Sequence, residues 1–322
     1  MKCYFGAWIC ALIPIHYIKE TWMLRIFTDD GADLTFIMRE TYDIQVLPIG
    51  LTDGDHEFEA GRSMDVDTFY DNMRSGVHYS TSRVSAPLME STFRKYLEAG
   101  DEVLYIALSS ALSGTWEGAS LLQRELEKEY PGKLRVIDSH AASFGEGLLA
   151  IKASVLRSRG ESLDAIADYI EKNKTESFEF FTVGSLDYLH RGGRVSKATK
   201  VAGGMLQIFP VLETDKNTGE LKVIDVHRGL KGLFKKLKNY MNSKSEGGVL
   251  NPNQTVYVYG GDWEERVDAI KRFLIDEMGV KEENIVTSLR VGSIIGAHTG
   301  PEIAIVTFGG VIDDLSLVPD TL

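Results

Sequence analysis

Three short segments gather the side chains that could hold or attack a polar ligand. They are Ser80-Thr81-Ser82, the run Ser109-Ser110-Ala111-Leu112-Ser113-Gly114-Thr115, and Gly292-Ser293-Ile294-Ile295-Gly296-Ala297-His298-Thr299-Gly300-Pro301. Hydroxyls and free backbone N–H groups at helix starts suit an anion. In open α/β sheets such ligands sit outside the carboxyl ends of the strands. A lone serine or threonine of this kind more often caps a helix. Three such loops in one chain favour a shared oxyanion site. Ser113 with His298 also raises a serine hydrolase, but the chain has no Gly-x-Ser-x-Gly elbow and no evident acidic third partner. Gly145-Glu146-Gly147-Leu148-Leu149-Ala150 fits Gly-x-Gly-x-x-Ala but does not directly follow a strand, so helix packing is the better reading. A Gly-Lys-Ser/Thr phosphate loop is absent. His16, His56, His78, His140, His190 and His227 lack metal-ligand spacing. Arg191, Arg194, Lys197 and Lys200 form a basic cluster; it is either a solvated loop holding a structural ion pair or a docking surface for a phosphate or a partner.

The elements that must position these loops follow from hydrophobic periodicity. Leu24–Thr28, Ile44–Ile49 and Leu134–Ile137 read as strands, and Val103–Leu108 as a continuous apolar run of the buried-strand type. Ser85 caps a helix with Pro87 in its first turn, Ala119, Leu122 and Leu126 mark one helical face, and Ser162 caps a helix with Leu163, Ile166, Ala167 and Ile170 inward. This alternation predicts a largely parallel sheet with helices on both faces. The second half reads as similar but less regular. Glu179–Val183 is a strand, Asp215–Gly219 a hairpin turn between Pro210–Glu213 and Leu221–Val226, and Lys231–Asn242 a helix. Thr255–Tyr259, Glu264–Met278, Asn284–Leu289 and Ile303–Phe308 follow as strand, helix, strand and strand.

Composition bounds the rest. The 322 residues suit two domains, and 43% hydrophobic with 25% charged residues is a globular balance. A net charge of −12 disfavours nonspecific nucleic-acid binding and stable insertion into anionic membranes. The two cysteines, Cys3 and Cys10, give no disulfide scaffold or thiolate metal site, which fits a cytoplasmic setting. The apolar run Tyr4 to Ile15 is too short to span a bilayer. Residues 1–22 are expected to be an extension ahead of a start at Met23, with a leader as the alternative. The expected division is an N-terminal α/β domain over 23–165 and a C-terminal α/β domain over 166–322.

In order along the chain, these segments resemble the DegV family. Thr28-Asp29-Asp30 stands for its opening Thr-Asp-Ser, and Thr81-Ser82 for its Thr-Ser. Ser109 to Thr115 matches its Ser-Ser-Gly-Leu-Ser-Gly-Thr loop, and Ile137-Asp138-Ser139 and Phe144-Gly145-Glu146-Gly147 match its next signatures. Leu186-Asp187-Tyr188-Leu189 with Gly192-Gly193-Arg194-Val195-Ser196, and Gly296 to Pro301, complete the set. Departures are Asp30 for Ser, Ala111 for Gly, Phe209-Pro210 for Lys-Pro, and Glu302 for a Gly.

The resemblance implies two α/β domains, the first with a mostly parallel sheet, and a lipid tunnel between them. It implies a protein that is not itself an enzyme. Such a protein binds a long-chain fatty acid, uses no other cofactor, and presents the lipid to a fatty acid kinase for phospholipid synthesis. It carries the carboxylate onto Thr81, Ser113 and His298, with Ser82, Ser110, Gly114 and Thr115 as the supporting loop. Arg194, Arg191 and Arg228 take the docking role. Ile106, Leu112, Phe181, Leu186, Leu206 and Ile208 are candidate walls, with ordinary core the favoured reading for each taken singly. At roughly 0.8 kcal/mol per buried CH₂, an acyl chain of about fifteen carbons contributes on the order of 12 kcal/mol, and each hydrogen bond to the carboxylate roughly 1.5–3 kcal/mol. The competing reading is a module for another carboxylate or a phosphate.

Overall fold

The computed structural model describes residues 23–59, 64–196 and 208–309; residues 1–22 with Cys3, Cys10 and His16, and also Lys197, Lys200 and Leu206, lie outside the described residues. In chain order the elements begin with β1 (Leu24–Asp29), α1 (Phe36–Tyr42), β2 (Ile44–Leu47), β3 (Gly50–Thr52), β4 (Glu57–Glu59), α2 (Val66–Arg74), β5 (Ser80–Thr81) and α3 (Ala86–Glu98). There follow β6 (Glu102–Ala107), α4 (Thr115–Leu126), β7 (Leu134–Asp138), α5 (Phe144–Ser158), α6 (Leu163–Asn173), β8 (Ser177–Val183) and α7 (Asp187–Arg191). The last are β9 (Ile208–Thr214), β10 (Leu221–Arg228), α8 (Gly229–Lys244), β11 (Val256–Gly260), α9 (Glu264–Asp276), β12 (Ile285–Val286), α10 (Ser293–Thr299) and β13 (Ile303–Gly309).

The first sheet has the order β2-β1-β6-β7 and every pairing in it is parallel. That is the sheet the βα alternation predicts. The second sheet, β10-β9-β8-β13-β11-β12, departs from the expected likeness to the first half. Its pairings are antiparallel except for β11 with β12. The reason is connection: β9 and β10 form a hairpin, and β13 returns between β8 and β11 rather than through a crossover helix. A small antiparallel sheet, β4-β3-β5, lies apart from both.

Alternation along the strands divides the apolar residues into three cores. Ile26, Leu104 and Ile106 face one way from the first sheet, into the same core as Phe181, Val183, Tyr257, Tyr259, Ile303 and Ile305 of the second. Phe27, Val103 and Tyr105 face the other way, onto α3 and α4. Phe180, Val256, Val258 and Val306 face α8 and α9. The result is five layers, helix–sheet–helix–sheet–helix, with α5 in the middle. From Phe144 to Val155 every residue of α5 is buried, Glu146, Lys152 and Ser154 included, as its place between the two sheets requires. The Gly-x-Gly-x-x-Ala segment opens this helix and is packing: a Cβ on Gly147 would meet the carbonyl oxygen of Ala32 at 2.7 Å. The position between residues 165 and 166 falls inside α6, beside α5 in that shared middle layer.

Candidate functional site

The carboxyl ends of β1 and β6 and the loop after β7 face the second sheet, and a cavity of about 110 Å³ lies between them. Thr81, Ser82, Ser113, Gly114 and His298 all line it. Three segments far apart in the chain bring them there, so the site depends on long-range pairing. Thr81 sits on β5, held by its pairing with Leu51 of β3. It is therefore in the small antiparallel sheet and not at the end of a parallel strand. Ser113 precedes α4. His298 is on α10, which packs on α2, α7 and β5.

The polar contacts are specific. His298 Nε2 lies 2.7 Å from Thr81 Oγ1. Its Nδ1 is buried with no partner among the described residues, and a Cβ on Gly192 would sit 2.3 Å from that nitrogen. A buried N–H without an acceptor is the costlier orphan. The proton therefore belongs on Nε2, which donates to Thr81 Oγ1 and leaves the Thr81 hydroxyl hydrogen free to donate onward. Burial, with Arg194 nearby, holds the imidazole down at about 4, so it is neutral at pH 7. Ser113 Oγ lies 2.9 Å from Thr115 Oγ1 and accepts from Thr115 N at 3.2 Å. Thr115 is buried and accepts from Val84 N at 3.2 Å, which ties the loop to the β5–α3 connection. The recorded partner of Ser113 is thus Thr115 and that of His298 is Thr81; no Ser113–His298 hydrogen bond forms.

Of the supporting loop, Ser82 and Gly114 line the cavity, Thr115 fixes Ser113 from behind, and Ser110 is exposed, its N–H donating to Asp138. The loop is anchored at its root by Asp29, whose buried carboxylate accepts from Leu108 N, Tyr105 Oη and Gly31 N. Asp30, the first of the departures, accepts from Ile49 N and pairs with Arg39.

The three arginines separate. Arg194 is half-buried and lines the cavity. It donates from Nε to Leu112 O at 2.9 Å and also binds Gly192 O. Among the described residues it makes no ion pair, so the structural ion pair weighed for it is replaced by carbonyl contacts. Burial lowers its pKa from the ordinary arginine value. Arg191 is exposed, stacks over Tyr188 and donates to His78, and Arg228 ends β10 on the edge of the second sheet; neither lines the cavity.

Of the candidate walls, Leu112 and Phe181 line the cavity. Ile106 and Leu186 are core, and Ile208 is half-buried on β9 away from it. Sequence reasoning missed Arg83, Ser143, Glu179 and Thr214, which also line it. Glu179 was hidden inside Ser177-Phe178-Glu179-Phe180-Phe181 because strand alternation, not composition, turns it inward. An open groove of about 540 Å³ adjoins the cavity at Ile49, Thr81, Ser82 and Arg83. Among the described residues no group of His, Cys, Asp and Glu could hold a metal, and no helix is long and apolar enough to cross a membrane.

Residues 23–309 match the family DegV, described as an uncharacterised protein family. A DegV domain-containing protein of Clostridium perfringens is 33% identical over 279 residues, covering 85% of this chain and 93% of its own. One from Caldanaerobacter subterraneus is 30% identical, covering 88% and 98%. Among solved structures, a DegV family protein from Thermus thermophilus, described for its fatty acid binding, superposes with a TM-score of 0.77 at 26% identity, covering 89% of this chain and 100% of its own. A stearic acid-binding protein from Eubacterium ventriosum gives 0.76 at 25% identity, covering 90% and 99%. With a layered two-sheet fold and a cavity where the ordered motifs converge, this chain belongs to the DegV family.

Proposed function

We propose that the protein binds a long-chain fatty acid in the cavity between its two sheets and presents it to a fatty acid kinase for phospholipid synthesis, without catalysing a reaction itself. The observation that carries the binding reading is a single cavity that joins Thr81, Ser113 and His298 to apolar residues of both halves, among them Leu108, Leu112, Phe181, Ile303 and Ile305. The carboxylate takes hydrogen bonds from the Thr81 and Ser113 hydroxyls. Neutral His298 aims the first by donating to its oxygen, and Thr115 restrains the second. Arg194 supplies positive charge at the same end, and the N-terminus of α4 adds its dipole. The tail lies against the apolar wall, which contributes most of the affinity.

Two features support presentation to a partner. The groove beside Thr81 and Ser82 gives access to the carboxylate from outside. Arg191 is exposed beside Arg194 in the same turn, where guanidinium groups suit an acyl phosphate or a kinase surface; Arg228, at the edge of the second sheet, is a separate candidate contact for the partner. The hydrolase reading has no nucleophile–base contact, since Ser113 and His298 bind different partners. The binding test is the Thr81→Ala/Ser113→Ala variant. Loss of two charge-assisted bonds, about 3 kcal/mol or more together, lowers affinity for hexadecanoic acid by about a hundredfold. Unchanged affinity in a folded variant refutes the headgroup assignment.

A further inference from the structure

The cavity is polar at both ends. Register across the second sheet orders its wall into rows. Ile303 opposes Val183 beside α10; Ile305 opposes Phe181, which opposes Leu212; Thr307 opposes Glu179, and Thr214 of β9 lies beside it. From Ile303 to Thr307 the wall runs roughly 13 Å at the usual strand rise. The end near α10 holds His298. The far end holds Glu179 and Thr214, with Ser143 above them on the loop before α5.

Glu179 is built into that position. It is 3% exposed and Lys216 is 9% exposed, and Lys216 Nζ lies 2.7 Å from Glu179 Oε2. Lys216 belongs to the hairpin turn between β9 and β10, which is clamped to the first half by Ser109 Oγ donating to Gly219 O and by His140 Nδ1 against Lys216 O. The other oxygen, Oε1, rests against the first turn of α5, where a Cβ on Gly145 would meet it at 2.0 Å. Its recorded donor is Ala142 N at 3.4 Å, a long contact. An ionised carboxylate offers about four acceptor positions, so Oε1 retains acceptor capacity at the cavity wall. An apolar tunnel end would reject a hydroxyl by about tenfold or more, because the group would be buried unpaired. This end does the opposite: it offers an anchored acceptor where a plain acyl chain has nothing to donate.

We infer that the far end is a polar subsite and that Glu179 selects a long-chain fatty acid bearing a hydroxyl on the outer part of its chain. The inference rests on the fatty acid reading above and names the ligand class within it. The test is competition on the delipidated full chain between hexadecanoic acid and two hydroxylated forms, one hydroxylated at the terminal carbon and one at mid-chain. At least one hydroxy acid is expected to bind the wild-type protein as tightly as hexadecanoic acid or more so. In Glu179→Leu/Lys216→Met, which replaces the pair by apolar groups, the preference shifts about tenfold toward hexadecanoic acid. Glu179→Met/Lys216→Leu, which keeps similar volume with no acceptor, serves if the first double variant does not fold. A tenfold preference of the wild-type protein for hexadecanoic acid, or an unshifted ratio in the folded variant, overturns the inference while leaving fatty acid binding intact. Failure of all three acids to bind overturns both readings.

Discussion

Gly192→Ala tests how the headgroup site is held without touching any group proposed to contact the ligand. Gly192 closes α7 with φ −71° and ψ −10°, a conformation alanine adopts freely. The added Cβ would lie 2.3 Å from His298 Nδ1, about 1.1 Å inside the 3.4 Å at which ordinary contact begins. The imidazole must move by that amount. Its Nε2 then cannot keep the 2.7 Å contact that orients the Thr81 hydroxyl. A lost hydrogen bond at this part-buried contact costs about 1–2 kcal/mol, and about 1.4 kcal/mol is tenfold in Kd. Hexadecanoic acid should therefore bind the variant about tenfold more weakly in a fluorescence displacement assay. Overpacking should lower stability by about 1–3 kcal/mol in denaturant unfolding, leaving a folded protein to measure. Gly118→Ala, inside α4 with nothing within 4 Å of its added Cβ, is the control. It should keep full affinity and gain up to about 1 kcal/mol of stability. A folded Gly192→Ala protein that binds as well as the wild type would refute the proposed coupling of His298 to Thr81.

Two further predictions concern buried charge. Lys216→Met strands the Glu179 carboxylate and should cost about 3–5 kcal/mol, whereas Glu179→Leu/Lys216→Met should be close to neutral; urea unfolding distinguishes them, and equal losses would contradict the ion pair. Burial pushes Asp33 from the ordinary 3.8 up to about 7, against hydrogen bonds from Ser143 and Gly292. The folded state therefore binds more protons than the unfolded state between those values. The associated stability is full below about pH 4 and is lost as pH rises through about 7, on the order of 2–4 kcal/mol. Asp33→Asn keeps both contacts at a left-handed position that asparagine tolerates. It should remove that slope and stabilise the protein at pH 8; an unaltered pH profile of unfolding would show that Asp33 does not titrate as described.

Much of this molecule was legible because local chemistry and final burial agree. In α6, Ser162 caps by accepting from Ala165 N, and Leu163, Ile166, Ala167 and Ile170 are all buried. The strands of the first sheet were readable as apolar runs for the same reason. In contrast, α5 shows no polar stripe because it is buried on every side, and β3 to β5 are too short for a periodic signal. The antiparallel order of the second sheet depends on β13 pairing with β8 across more than a hundred residues, which no local pattern carries. The same limit applies to the site. Thr81, Ser113 and His298 came forward through motif order, and the cavity brings all three to one lining. Glu179 and Thr214 become neighbours only through the register of β8 and β9. Arg191 and Arg228 also came forward from the sequence, but the end of α7 and the end of the edge strand β10 put them away from the cavity wall.

The central claim is a fatty acid held between the two sheets, and extraction tests it most directly. The purified full chain is extracted with organic solvent, the extract is weighed by mass spectrometry, and the delipidated protein is titrated with hexadecanoic acid. A long-chain fatty acid in the extract near one per protein, with saturable rebinding that Thr81→Ala/Ser113→Ala weakens, is the predicted result. An extract free of fatty acid, together with a delipidated protein that takes up neither hexadecanoic acid nor its hydroxylated forms, would contradict it.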